Sequence, residues 1–157
     1  MMFKTVLVAL LATVVGVQAE RHVVHFDNRC GFGTPTLIQG SRVLSTGGDY
    51  VSNGPLRGAI AYLQTGKCGF NGDGCTLIET TLVNPTSPGA GSSSDISLIP
   101  PHAFSVTSGF GYYNGCDGAG ADCNNANCPQ AFRTPTDTWV QVQCQANDVN
   151  LAITFCL

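Results

Sequence analysis

The chain has 157 residues and a formal charge of −3, with 11% charged residues, 19 Gly, 8 Pro, 8 Cys and a single Trp. That length fits one domain and leaves little room for a second. The low, acidic charge excludes a nucleic-acid binder with its Lys/Arg stripe. The 43% apolar content excludes whole-chain disorder, and too few Leu, Lys and Glu fall at helical spacing for a bundle or coiled coil.

The chain opens with Lys4, then an apolar run from Val6 to Val17, with small residues at Val17 and Ala19. This pattern reads as a secretory signal peptide over 1–19, cut after Ala19, with one domain over 20–157. A membrane anchor would need about 20 apolar residues with anchoring flanks. The run is shorter, and no later segment is apolar enough to span a membrane. The expected location is therefore extracellular or the cell wall.

Strand signals dominate the rest of the chain. The runs 22–26 (HVVHF), 49–51 (DYV, after Thr46-Gly47-Gly48), 58–64 (GAIAYLQ) and 76–83 (TLIETTLV) are β-rich. Residues 138–144 (TWVQVQC) alternate cleanly and are expected to form a strand with Trp139 in the core. Residues 149–156 (VNLAITFC) close the chain in the same style. Such runs, separated by Gly, Pro, Asn and Asp clusters, predict an all-β, antiparallel sandwich or barrel. Between them, 68–75 is a glycine-rich reversal, and 84–94 (NPTSPGAGSSS) is a low-complexity loop expected to be mobile. Residues 114–128 form a second loop, with three cysteines. No N-x-S/T sequon occurs, since Pro85 follows Asn84. Thr86, Ser87 and Ser92 to Ser94 are open to O-linked sugar.

All eight cysteines come after the leader: Cys30, Cys68, Cys75, Cys116, Cys123, Cys128, Cys144 and Cys156. An even count in a secreted chain predicts four disulfides, although spacing alone leaves 105 connectivities. No C-x-x-C pair suggests zinc. His22 and His25 are three apart and face opposite sides of a strand, so no metal is expected there. His102 comes after two prolines in a loop. No G-x-S-x-G turn suggests a serine hydrolase, and no cofactor is expected.

Several segments, taken in order, resemble the thaumatin-like proteins. They are Phe26-Asp-Asn-Arg-Cys30, Leu44-Ser-Thr-Gly-Gly-Asp-Tyr-Val51, Gly58 to Gly66 with the Cys68–Cys75 stretch, and Thr76-Leu-Ile-Glu-Thr-Thr-Leu82. Asp95-Ile-Ser-Leu98 with Phe104, Cys128-Pro-Gln-Ala-Phe132 and Thr154-Phe-Cys156 complete the set. The resemblance runs from about residue 22 to 156. It implies a disulfide-stabilised β-sandwich paired Cys30–Cys156, Cys68–Cys75, Cys116–Cys144 and Cys123–Cys128. It also implies a small form, because only Asn124 to Asn127 stand where larger members insert a helical lobe.

The resemblance further implies an acidic cleft that binds β-1,3-glucan. Glu79 falls on the family's Glu and Asp95 on one of its Asp residues, so these two are the candidate catalytic pair. Gln64 stands at the family's Arg position, and Asn124 and Asn125 stand where an Asp is usual. Hydrolysis would need one carboxyl protonated and the other ionised across the scissile bond. Sugar binding needs instead exposed aromatic faces with a few polar groups, for which Phe70, Tyr112 and Tyr113 are candidates. Three functions compete: binding of cell-wall β-glucan in defence or wall remodelling, weak endo-β-1,3-glucanase activity, and binding of a protein partner as effector or inhibitor. The first is the expectation carried forward.

Overall fold

The computed structural model describes residues 19–157; the leader read over 1–19 lies almost wholly outside the described residues. Twelve strands and one short 3-10 turn make up the described chain. In order they are β1 (His22–Asn28), β2 (Thr34–Gln39), β3 (Arg42–Ser45), β4 (Tyr50–Ser52), β5 (Leu56–Gln64) and β6 (Leu77–Leu82). Then come β7 (Ser92–Ser97), β8 (Ser108–Tyr113), β9 (Gly120–Cys123), β10 (Ala131–Phe132), the turn Thr138–Val140, β11 (Val142–Cys144) and β12 (Asn150–Phe155).

The strands form two sheets. One has the order β4-β1-β12-β8-β9, the other β10-β7-β6-β5-β2-β3, with β11 also on the outer edge of β7. Pairing is antiparallel except between β1 and β12 and between β10 and β7, which run parallel. Alternate residues of each strand face the partner sheet. Val24 and Phe26, Leu151, Ile153 and Phe155, and Phe110 thus meet Leu37, Ala59, Ala61, Leu63, Ile78 and Ile96 in the main core.

A second, smaller cluster lies on the outer face of the larger sheet, where Ile38, Tyr62 and Leu77 are buried. The 68–75 loop covers it. Gly72 sits against Leu77 and Tyr62, and the Tyr62 hydroxyl donates to the Phe70 carbonyl at 2.7 Å. Four disulfides join Cys30–Cys156, Cys68–Cys75, Cys116–Cys144 and Cys123–Cys128, the same four pairs that the resemblance implies.

Besides the expected 114–128 loop, which contains β9 (Gly120–Cys123), three sequence expectations need correction. First, 138–144 is not one strand. The Asp137 carboxylate accepts from the backbone N–H groups of Arg133 and Thr134 at 3.0 and 2.9 Å, which closes a turn and starts a 3-10 segment. Only Val142–Cys144 pairs with β7, and Trp139 is 75% exposed rather than in the core. Second, 84–94 is not wholly loop. Residues from Ser92 onward form β7, and the Gln145 side chain holds Gly89 and Gly91 through their N–H groups. Third, Ser92 and Ser94 are fully buried, so neither hydroxyl is open to a sugar. Ser92 instead exchanges hydrogen bonds with the backbone of Val83.

Candidate functional site

β6 and β7 are antiparallel neighbours in a register that sets Glu79 directly opposite Asp95. Residues opposed in this way project to the same face with Cβ atoms about 5 Å apart. On the other side of β6, Ile60 of β5 is opposite Glu79, so Ile60, Glu79 and Asp95 form one row across the outer face. Thr81 and Ser93 form the next row. A register shift between Leu56 and Ala59 puts Gly58 at the groove's end. Gly58 has a left-handed φ of 59°, and nothing lies within 4 Å of where a side chain would start, which leaves that end open. Gln141, from the segment before β11, closes the other side. Together these residues line a groove of about 290 Å³.

Glu79 is exposed, whereas Asp95 is only 5% exposed. Gln141 Nε2 donates to Asp95 Oδ2 at 3.5 Å, a long contact. Asp95 Oδ1 is buried and has no hydrogen-bond partner among the described residues. Burial first, and then the charge of Glu79, push the Asp95 carboxyl up to about 7, and the contact from Gln141 opposes the rise. Near neutral pH a large fraction of Asp95 therefore keeps its proton, as a buried carboxyl beside a second carboxylate does.

Behind Asp95, a buried chain of hydroxyls fixes the strand. Thr80 Oγ1 and Ser94 Oγ are 2.7 Å apart, and the Tyr112 hydroxyl is 3.0 Å from Ser94 Oγ and 3.1 Å from the Val142 carbonyl oxygen. The Tyr112 hydroxyl is the donor toward both the Ser94 hydroxyl oxygen and the Val142 carbonyl, while Thr80 and Ser94 share a hydrogen bond in which either hydroxyl can donate. Burial pushes the Tyr112 hydroxyl up to about 12, which keeps that donor in place across the physiological range.

The remaining sequence candidates lie elsewhere. Tyr112 is 3% exposed and presents no face to solvent. Tyr113 is half-buried at the end of β8, in the other sheet. Gln64 caps the 64–68 turn, accepting from Gly66 and Cys68 N–H and donating to the Cys68 carbonyl, and does not line the groove. Phe70 is 51% exposed on the loop that covers the neighbouring Tyr62 and Leu77. His22 is buried between the Val149 carbonyl and Glu20, and His25 pairs with Asp49 at 2.7 Å. Ser93 and Thr81 join the groove through the β6–β7 register, which no local sequence signal carries. Gln141 carries no signal beyond its place in an alternating run.

No family model matches the chain, and no curated protein matches it. Among solved structures, a thaumatin-like xylanase inhibitor superposes with a TM-score of 0.53 at 16% identity, covering 87% of this chain and 99% of the other. The two sheets, the four disulfides and this likeness give the chain a thaumatin-like fold.

Proposed function

We propose that this is a secreted carbohydrate-binding protein whose groove over β5–β7 takes a neutral cell-wall polysaccharide, β-1,3-glucan first, and holds it without cutting it. The carrying observation is Asp95, whose buried Oδ1 lacks a partner at the base of an open groove beside Glu79. A buried polar atom left unmatched is costly, which marks Asp95 as a group held at the groove's base for more than packing, and the exposed Glu79 carboxyl beside it is the one a sugar hydroxyl can reach. Glu79, Thr81, Ser93 and Gln141 supply further polar groups, and Ile60 supplies an apolar floor. The choice of β-1,3 linkage comes from the thaumatin-like resemblance. Four disulfides fit an oxidising, extracellular setting. The biological setting would be defence against fungi or wall remodelling.

The placement of the two carboxyls favours binding without hydrolysis. Glycosidases set two carboxyls on opposite sides of the scissile bond, roughly 5–9.5 Å apart. Glu79 and Asp95 instead project from directly opposed positions of neighbouring strands to the same side of the groove, rather than from facing walls. The test mixes the oxidised protein separately with insoluble β-1,3-glucan, chitin and cellulose, and reads reducing sugar in the supernatant. Depletion by β-1,3-glucan alone, with no sugar released and weaker retention of Glu79→Gln, is expected. Release of reducing sugar would replace this reading with the glucanase one.

A second reading has its own support. The similar solved structure is of a xylanase inhibitor, and on that precedent the sandwich is a scaffold that binds a protein such as a secreted hydrolase. Protein that stays in solution with all three polysaccharides would favour it.

A further inference from the structure

Trp139 is the chain's single tryptophan and is 75% exposed, on the 3-10 turn Thr138–Val140. Its segment is held at both ends: Cys128 is bridged to Cys123, and Cys144 to Cys116. Within it, Asp137 accepts from the N–H groups of Arg133 and Thr134, and the Val140 N–H donates to the Asp137 carbonyl at 3.1 Å. The turn that carries the ring is thus fixed before any ligand arrives, which lowers the ordering cost of binding. The ring borders a pocket of about 440 Å³ whose rim includes Arg133, Thr134 and Asp137. Two residues further on, Gln141 reaches Asp95 in the groove. The Trp139 and Gln141 Cα atoms are at most about 7 Å apart along the chain.

We infer that Trp139 is an aromatic platform extending the Glu79–Asp95 groove, on which a sugar ring of a bound β-glucan chain stacks; this rests on the carbohydrate-binding reading above. The chemistry selects a glycan. Among the described residues the other large exposed apolar side chains, Phe32, Val43, Val51, Phe70 and Leu157, lie on other elements, and the pocket beside the indole mixes the small apolar Pro129, Ala131 and Val140 with the polar Arg133, Thr134 and Asp137. A protein interface gathers its aromatics into a wider apolar centre. A pyranose needs one flat apolar face and hydrogen-bonding groups at its edges, and that is the arrangement here. The platform requires an oligosaccharide long enough to reach both Gln141 and the indole.

The test uses the tryptophan itself. The oxidised protein is titrated with soluble linear β-1,3-gluco-oligosaccharides, from the disaccharide to the hexamer, with emission excited selectively at the indole and its quenching by iodide measured. The hexamer is expected to move emission to shorter wavelength and to protect the ring from iodide. Trp139→Ala is expected to weaken hexamer binding on the order of tenfold, as loss of an anchoring aromatic does, and Trp139→Phe to weaken it less. The ring is exposed, so both variants are expected to keep the wild-type far-ultraviolet spectrum. If the protein is retained on β-1,3-glucan but emission does not move and Trp139→Ala binds normally, the platform is overturned while the groove reading stands. A full emission response that Glu79→Gln leaves untouched would keep the platform and remove the acidic pair. Absence of any binding overturns both.

Discussion

Burial, with the charge of Glu79 beside it, holds the Asp95 carboxyl near 7, whereas its ordinary value is 3.8. The folded protein therefore keeps this proton over a range in which the unfolded chain has lost it. The stabilisation from that difference is complete below about pH 4 and is lost as pH rises to about 7. Asp95→Asn removes the titration and leaves a neutral amide that can donate to Glu79. It is expected to raise stability at pH 8 by at most about 4 kcal/mol, the full linkage between an ordinary 3.8 and a folded value of about 7, with the advantage vanishing near pH 4. Urea unfolding at both pH values checks this, and an equal effect at the two would show that Asp95 does not titrate as described. At this scale the sequence is partly legible. The resemblance points to Glu79 and Asp95, but their contact depends on the β6–β7 register, which composition does not reveal. Tyr112 shows the opposite case: an aromatic beside a glycine-rich loop suggests an exposed ring, yet strand alternation turns it inward onto Ser94 and Val142.

Two elements run against their surface patterns for one physical reason. Residues 92–97 (SSSDIS) lack the apolar alternation of a strand, yet β7 pairs with β6 on one side and with β10 and β11 on the other. Its buried serines at 92 and 94 satisfy their hydroxyls internally, so the strand can be buried without apolar side chains there. Residues 138–144 carry the alternation, but Asp137 closes a turn first. Periodicity reports which side a residue faces and says little about which backbone groups pair. The 68–75 loop is legible as a reversal, but its role as the cover of Tyr62 and Leu77 is not. Gly72 is the tight point, with φ of 81° and a side-chain position 2.6 Å from Leu77 Cδ1. Gly72→Ala combines left-handed strain with overpacking and is expected to cost about 2–3 kcal/mol. Urea unfolding measures the loss; a cost under about 0.5 kcal/mol, the range of an ordinary surface change, would mean that the loop does not seat on the cluster.

Across the whole molecule, the first and last strands lie side by side and parallel. That pairing explains why the beginning and end of the domain both read as strong strands. It also explains why the resemblance ties Cys30 to Cys156, a link that cysteine spacing leaves open. Cys30–Cys156 closes 126 residues of sequence, whereas Cys68–Cys75 closes 7. Cross-linking mainly restricts the unfolded chain, and the loop-length relation assigns about 5 kcal/mol to the long link and about 2.5 kcal/mol to the short one. Domains of this kind retain only about 5–15 kcal/mol in total, so loss of the long bridge removes a large share. The double variant Cys30→Ser/Cys156→Ser should therefore be the less stable of the two in urea, by about 2 kcal/mol relative to Cys68→Ser/Cys75→Ser. Equal losses, or the reverse order, would mean that local packing under the 68–75 loop outweighs the tie between the chain ends. Neither bridge borders the groove, since β5, β6 and β7 carry most of its residues and Gln141 the rest. Folded molecules of either variant should keep the parent's retention on β-1,3-glucan, which separates the role of the bridges in stability from that of the groove in binding.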